Sequence, residues 1–180
     1  EREKLDVLRF DYQNVRQTEA GEYEVFQPNK YPHQVDTCHE VVDGETYLDD
    51  RMGYACYACQ FVINRELTGT FTPGIHYEDT EWLPRMMLAA KRVNSTPIVV
   101  YNYLVRQGSI TQAQGNKVKL RKNVNDFLFV IESLSKQMIK HPSCQWLRRM
   151  ISSMAVGVST RVAISFYDER KEYIRRLQEL

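Results

Sequence analysis

The sequence predicts an α/β fold: a small mixed sheet with flanking helices, followed by an all-helical C-terminal extension. Three observations predict it. Apolar, β-branched and aromatic runs at 5–12, 54–63 and 98–104 read as strands. Turn and cap signals between them mark short helices. Past residue 116, Val124, Phe127, Leu128, Ile131, Leu134 and Met138 recur at three- and four-residue spacing, an amphipathic helix. The change of character divides the chain into 1–115 and 116–180.

Taken in order, residues 5–12 alternate as a strand. Residues 13–42 are polar and irregular and read mostly as loop; His33 and His39 fall there as solvated side chains. Asp43-Gly44 is a turn signal, and 45–52 a short helix. The run 54–63 is a largely buried strand, after which Asn64 N-caps a short helix starting at Arg65. Pro84 is costly inside a helix, at about 3 kcal/mol. Starting the next helix near Thr80 brings Pro84 close to the first turn, where N–H groups lack partners. That placement sets Glu78 and Asp79 at the helix mouth. His141-Pro142 ends the first C-terminal helix, and two more cover about 144–156 and 160–179.

Bulk properties exclude several function classes. The chain has 180 residues, 43% hydrophobic and 26% charged, as one globular domain requires. A formal net charge of +1 gives no footprint for nucleic acid. No apolar run approaches the roughly 20 residues of a membrane span, no signal peptide is visible, and there is no internal repeat. Cys38, Cys56, Cys59 and Cys144 do not make a disulfide framework for this length and suit a reducing cytoplasm. Cys56 and Cys59, with Cys38 and His39, have the residue types of a zinc site without the usual paired spacing; buried free thiols are the alternative.

Chemistry concentrates in Pro73-Gly-Ile-His-Tyr-Glu-Asp-Thr-Glu-Trp82. Two acids at a helix start are caps or, held by backbone N–H groups, a base toward something bound in front of them. Trp82 is either a sugar platform or packing. Arg85 pairs with an acid of its own turn. Downstream, Arg106, Ser109 and Thr111 sit in a short Gly-containing loop after an apolar strand. A guanidinium with hydroxyls and loop amides suits a diphosphate; a solvated turn is the other reading.

Together these pieces resemble the second half of a bacterial family 2 glycosyltransferase of the GT-A type. The resemblance rests on order and spacing: Ala58 to Leu67, Phe71, Pro73-Gly74-Ile75, Tyr77-Glu78-Asp79, Ala90-Lys91-Arg92-Val93, Tyr101, Tyr103, Arg106 and Ser109-Ile110-Thr111. It spans about residues 5–135, more loosely through Leu5 to Tyr12 and Asp43-Gly44-Glu45. The Asp-x-Asp pair and Gly-rich region of that family's first half are absent, and the chain opens on Glu-Arg-Glu-Lys. The resemblance therefore implies the acceptor-side part of a partial GT-A-like fold, without the half that binds nucleotide-sugar and a divalent metal (Mg or Mn), and inactive alone.

On that resemblance Asp79 is the base of an inverting transfer to a glycan or lipid-linked acceptor, and Glu78 orients the acceptor or tunes the charge. Arg106, Ser109 and Thr111 contact the diphosphate, and His76, Tyr77 and Trp82 the acceptor. No metal ligand is assigned within the chain. The expected place is the cytoplasm; the apolar stripes of the last helices are most simply core, and the other reading lays the basic tail (Arg148, Arg149, Arg161, Arg170, Lys171, Arg175 and Arg176) on an anionic membrane surface at the inner face. Glu169, Glu172 and Glu179 interrupt that basic face. Homodimerisation through the helices is also open. The competing classes are a non-catalytic oligomerisation or membrane-docking module, in which the acids only cap, and a free-standing α/β domain without a site.

Overall fold

The computed structural model describes residues 4–26, 35, 37, 38, 40–106 and 117–180, and shows a mixed α/β architecture. Strand β1 (Val7–Gln17) carries every ladder of the sheet. Along one edge it takes two short antiparallel strands in tandem. Of these, β2 (Tyr23–Val25) lies against Val15–Gln17 and β3 (Phe61–Ile63) against Val7–Arg9. Along the other it takes β4 (Val93–Leu104), parallel, from Val7 to Val15. The β1–β4 register shifts between Arg9 and Tyr12. That is where Pro97, which has no N–H to give a ladder, passes β1.

β1 is longer than the sequence suggested, and 13–26 is a hairpin rather than loop. Gln13, Asn14, Arg16 and Gln17 are polar strand residues that hide the period. Arg16 pairs with Glu24 across the hairpin at 2.5 Å. The run 54–63 is a strand only in its last three residues. Ala58–Gln60 first curl into a 3-10 turn closed by the Gln60 N–H on the Tyr57 carbonyl, 3.0 Å. No helix follows Asn64. Its side chain accepts from the Glu66 N–H (3.2 Å) and its carbonyl from the Leu67 N–H (2.9 Å), a local turn that competes with helix.

Among the described residues, five helices complete the fold. α1 (Gly44–Arg51) is capped by Asp43, whose carboxylate accepts from the Thr46 N–H at 2.9 Å. α2 (Glu78–Ala89) starts two residues earlier than expected. Pro84 is therefore a true interior proline that cannot donate to the Thr80 carbonyl. The helix holds because Trp82, Leu83, Met86 and Met87 are buried on its inner face. α3 (Lys117–Lys140) ends at His141-Pro142 as the sequence indicates. α4 (Gln145–Ser165) runs unbroken through the expected gap at 157–159; the break falls at Phe166, and a 3-10 turn leads into α5 (Arg170–Gln178). The α4 N-terminus is capped from outside: Asp49 on α1 accepts from the N–H groups of Gln145 (3.1 Å) and Trp146 (2.5 Å). No single helix is long and apolar enough to cross a membrane among the described residues.

One core joins both parts of the chain. Val7 and Val93 from the sheet pack with Tyr47, Leu48, Leu83 and Met87, and with Leu128, Ile131, Trp146 and Leu147 from beyond residue 116. Its tightest point is Gly44. Its N–H donates to the Ala90 carbonyl (3.0 Å), and a Cβ there would lie 1.6 Å from the Met87 carbonyl oxygen. Glycine is required because α1 and the end of α2 touch backbone to backbone. Gly44→Ala should cost more than about 3 kcal/mol, the upper end of ordinary overpacking; urea unfolding checks it, and a loss below 1 kcal/mol, roughly, would refute the close approach.

Candidate active site

The acidic pair is presented by a loop that the sequence shapes residue by residue. Gly74 takes φ +78°, open to glycine without strain. Tyr77 also adopts the left-handed region, φ 65° and ψ 32°, which is unfavourable for a residue with a Cβ. That conformation ends the loop and makes Tyr77 the α2 N-cap. Glu78 and Asp79 are thus the first two residues of the helix. Neither caps through its side chain in the usual way; Asp79 Oδ1 accepts from the adjacent Thr80 N–H at 2.8 Å. Asp79 thus satisfies one N–H of the first turn, as the capping reading expects of one of the two acids, although Tyr77 holds the N-cap position.

Asp79 is half-buried and Glu78 exposed. Burial pushes the Asp79 carboxyl up to about 6; the Thr80 N–H opposes the rise and repulsion from Glu78 adds to it. Its charge in turn contributes to raising the Tyr57, Cys56 and Cys59 groups, whose main cause is burial. Asp79 thus lies within electrostatic reach of the segment before β3. Tyr57 there meets Tyr12 of β1 (centroids 5.7 Å apart) and Tyr103 of β4 (6.4 Å). Arg106 lies three residues beyond Tyr103, exposed at the carboxyl end of β4. Ser109 and Thr111 lie outside the described residues, as do His33 and His39.

The three residues nominated for the acceptor are engaged elsewhere. Trp82 is 6% exposed, stacks on Phe71 at 4.6 Å and donates its indole N–H to the Gly69 carbonyl at 2.8 Å. Its place on the inner face of α2 makes it core. Tyr77 stacks on Phe127 of α3, centroids 4.1 Å apart. The His76 ring contacts Asn123 Oδ1 at 2.5 Å, and its backbone N–H donates to Asp126 at 2.9 Å. Both face α3 and anchor the loop. Arg85 pairs with Glu81, 2.8 Å, as its spacing indicates.

Sequence reasoning missed Tyr12, Tyr57 and Asp126. Tyr57 was hidden in a run read as uniform strand, and Asp126 in the polar face of a long helix. All four cysteines are free, three of them buried. Among the described residues no three His, Cys, Asp or Glu side chains gather as a metal site would need. No family model matches the chain, and no curated protein matches it.

The Asp79 carboxyl also makes a stability prediction. Its folded pKa lies above the unfolded value of about 3.9, so the folded chain binds the proton more tightly and loses stability as pH rises from about 4 to about 6. Asp79→Asn should melt like the wild type below pH 4 and at a higher temperature at pH 7. Equal melting temperatures at both values would contradict the buried setting of this carboxyl.

Proposed function

We propose that this chain is the acceptor-side part of an inverting glycosyltransferase, moving a sugar from a nucleotide-diphospho-sugar to a glycan or lipid-linked acceptor. The observation that carries the reading is the half-buried Asp79 at the mouth of α2, its carboxyl raised to about 6 beside a cluster of tyrosines. An alcohol attacks poorly unless its proton is removed as the bond forms, and a base with a pKa near the working pH does this best. In the transfer, the acceptor oxygen bonds to the anomeric carbon from one face. The bond from that carbon to the diphosphate breaks on the other, and the hydroxyl proton passes to Asp79. Arg106 is the group here that would meet the departing charge.

The sheet supports a second, donor-binding half. The outer edge of β4 is covered at Val93 and Ser95, where Val42 and Cys38 bond to it. Beyond Thr96 no described strand pairs there, while Ile98 is 64% and Val100 62% exposed. In an open sheet with parallel strands, sites form at the carboxyl ends, where Arg106 stands. Nucleotide and metal binding belong to that half in this reading, and a cytoplasmic location accompanies it. The rival is an association module that uses the same edge. The basic residues of the last helices support membrane docking poorly: Arg149 bonds to the Asp49 carbonyl (3.0 Å), Arg176 to Asn125 (2.8 Å), and Arg175 pairs with Glu172 and Glu179.

In the transferase carrying both halves, Asp79→Asn should lower turnover by about 10² to 10⁴, the usual worth of a general base, with circular dichroism unchanged. Wild-type kcat/KM should rise with pH through about 6 as the carboxyl ionises. Near-normal turnover of the variant, with strong self-association in sizing chromatography, would favour the association module instead.

A further inference from the structure

A surface groove between α4 and the segment that follows α1 collects cations and hydroxyls without an acid. It holds about 470 Å³ and is lined by Tyr54, Arg148, Arg149, Ser152, Ser153 and Val156. Spacing makes the α4 wall: 148, 152 and 156, and likewise 149 and 153, stand four apart and are neighbours on one helix surface. Two bonds fix the other wall. Trp146, 1% exposed, donates its indole N–H to the Gly53 carbonyl at 2.9 Å, which seats the adjoining Tyr54 beside α4. Arg149 donates to the Asp49 carbonyl in the last turn of α1, at 3.0 Å.

The charge balance of the groove is unlike that of its surroundings. Arg16, Arg85, Arg121 and Arg175 each face a carboxylate. Among the described residues, Arg148 and Arg149 pair with none. Each gives an N–H to a backbone carbonyl, Arg149 as above and Arg148 to Pro142 at 3.0 Å. A guanidinium carries five donors, so these bonds aim the two groups and leave most of their capacity unused. Like charges on consecutive residues also oppose each other, a cost that one anion held by both would relieve.

We propose that this groove is a binding site for a phosphate monoester, gripped by the guanidinium forks of Arg148 and Arg149 and the hydroxyls of Ser152 and Ser153. Guanidinium forks match phosphate oxygens two at a time. A carboxylate would satisfy one fork, whereas the three terminal oxygens of a monoester also serve the serines. The volume exceeds what phosphate alone fills and falls in the range of small-molecule sites. The organic part of the ligand lies along the Tyr54 ring and Val156, which are 58% and 66% exposed. The site shares no residue with the sugar-transfer reading and does not depend on it.

The test begins with the wild-type chain, so that it does not depend on any variant folding. Titration with inorganic phosphate and with phenyl phosphate, followed by NMR, should shift the Nε–H resonances of Arg148 and Arg149. Phenyl phosphate should also shift the Tyr54 ring and bind about tenfold more tightly, as an added aromatic contact allows. No shift with either phosphate, or equal affinity for succinate and inorganic phosphate, overturns the proposal. Arg148→Gln and Arg149→Gln, both at exposed positions where folding is little affected, should each weaken phenyl phosphate about tenfold. Arg149→Lys, which keeps the charge and loses the fork, should fall between wild type and Arg149→Gln. Wild-type affinity in both Gln variants overturns the site.

A second arm separates the two sources of such a group. Phosphatidylcholine vesicles containing phosphatidic acid present a phosphate monoester as a lipid headgroup. Sedimentation of the chain with these vesicles, lost in the Gln variants, supports the site with a lipid ligand. Absence of sedimentation, together with shifts from the free phosphates, supports it with a soluble one. Sedimentation that the Gln variants leave unchanged, with no response to free phosphate, overturns it.

Discussion

A single carboxylate on α3 determines where Asp79 stands. Asp126, 8% exposed, accepts from the His76 backbone N–H at 2.9 Å and from Lys122 Nζ at 2.6 Å. The same ammonium reaches the Gly74 carbonyl at 2.7 Å. Asn123 holds the His76 ring and Phe127 the Tyr77 ring. The first half of α3 thus grips Gly74, His76 and Tyr77. Such a grip is needed, because a left-handed tyrosine costs of order 1–3 kcal/mol and persists only where its surroundings over-determine it. The helices after residue 116 are therefore part of the site's construction.

A second buried carboxylate secures the other side of the loop. Glu81, 3% exposed, receives Thr72 Oγ1 (3.1 Å), Ser133 Oγ (2.7 Å) and the Arg85 guanidinium (2.9 Å), which also donates to the Thr70 carbonyl (3.1 Å). Desolvating that charge is costly, and the network offsets the cost because neighbours on three segments satisfy its oxygens. Residues 70–77 are in this way tied to both α2 and α3. Little freedom remains to the first turn of α2, which is the preorganisation the proposed base would use.

Much of the fold was legible from residue patterns, and the exceptions have physical causes. The apolar spacing of α3 and its His141-Pro142 stop were plain because helix periodicity over many residues is a strong signal. The hairpin at 13–26 was illegible because its alternation is of polar side chains. Gly157 looked like a gap, yet a single glycine costs only about 1 kcal/mol in a helix, and Met154, Val158 and Val162 bury the face on either side of it. Within the site, the acidic pair was visible from its Pro-Gly turn, and the Arg85 pairing from spacing. The tyrosine cluster was not, since its members lie 45 and 46 residues apart in sequence, brought together by a parallel pairing that no local pattern encodes. The packing of Tyr77, and the choice between platform and packing for Trp82, were illegible for the same reason: their partners, Phe127 and Gly69, lie outside their own helix.

The outer stretch of β4 has a consequence for handling the protein. Ile98-Val-Val-Tyr-Asn-Tyr-Leu104 is β-branched and aromatic, carries no charge, and has no described strand paired along its outer side. Those are the attributes of a segment that stacks into cross-β fibrils when nothing screens it. The nearest gatekeepers are Lys91 and Arg92 before it and Arg106 after it. Solubility at high concentration accordingly hinges on seven residues of one strand rather than on the well-filled interior.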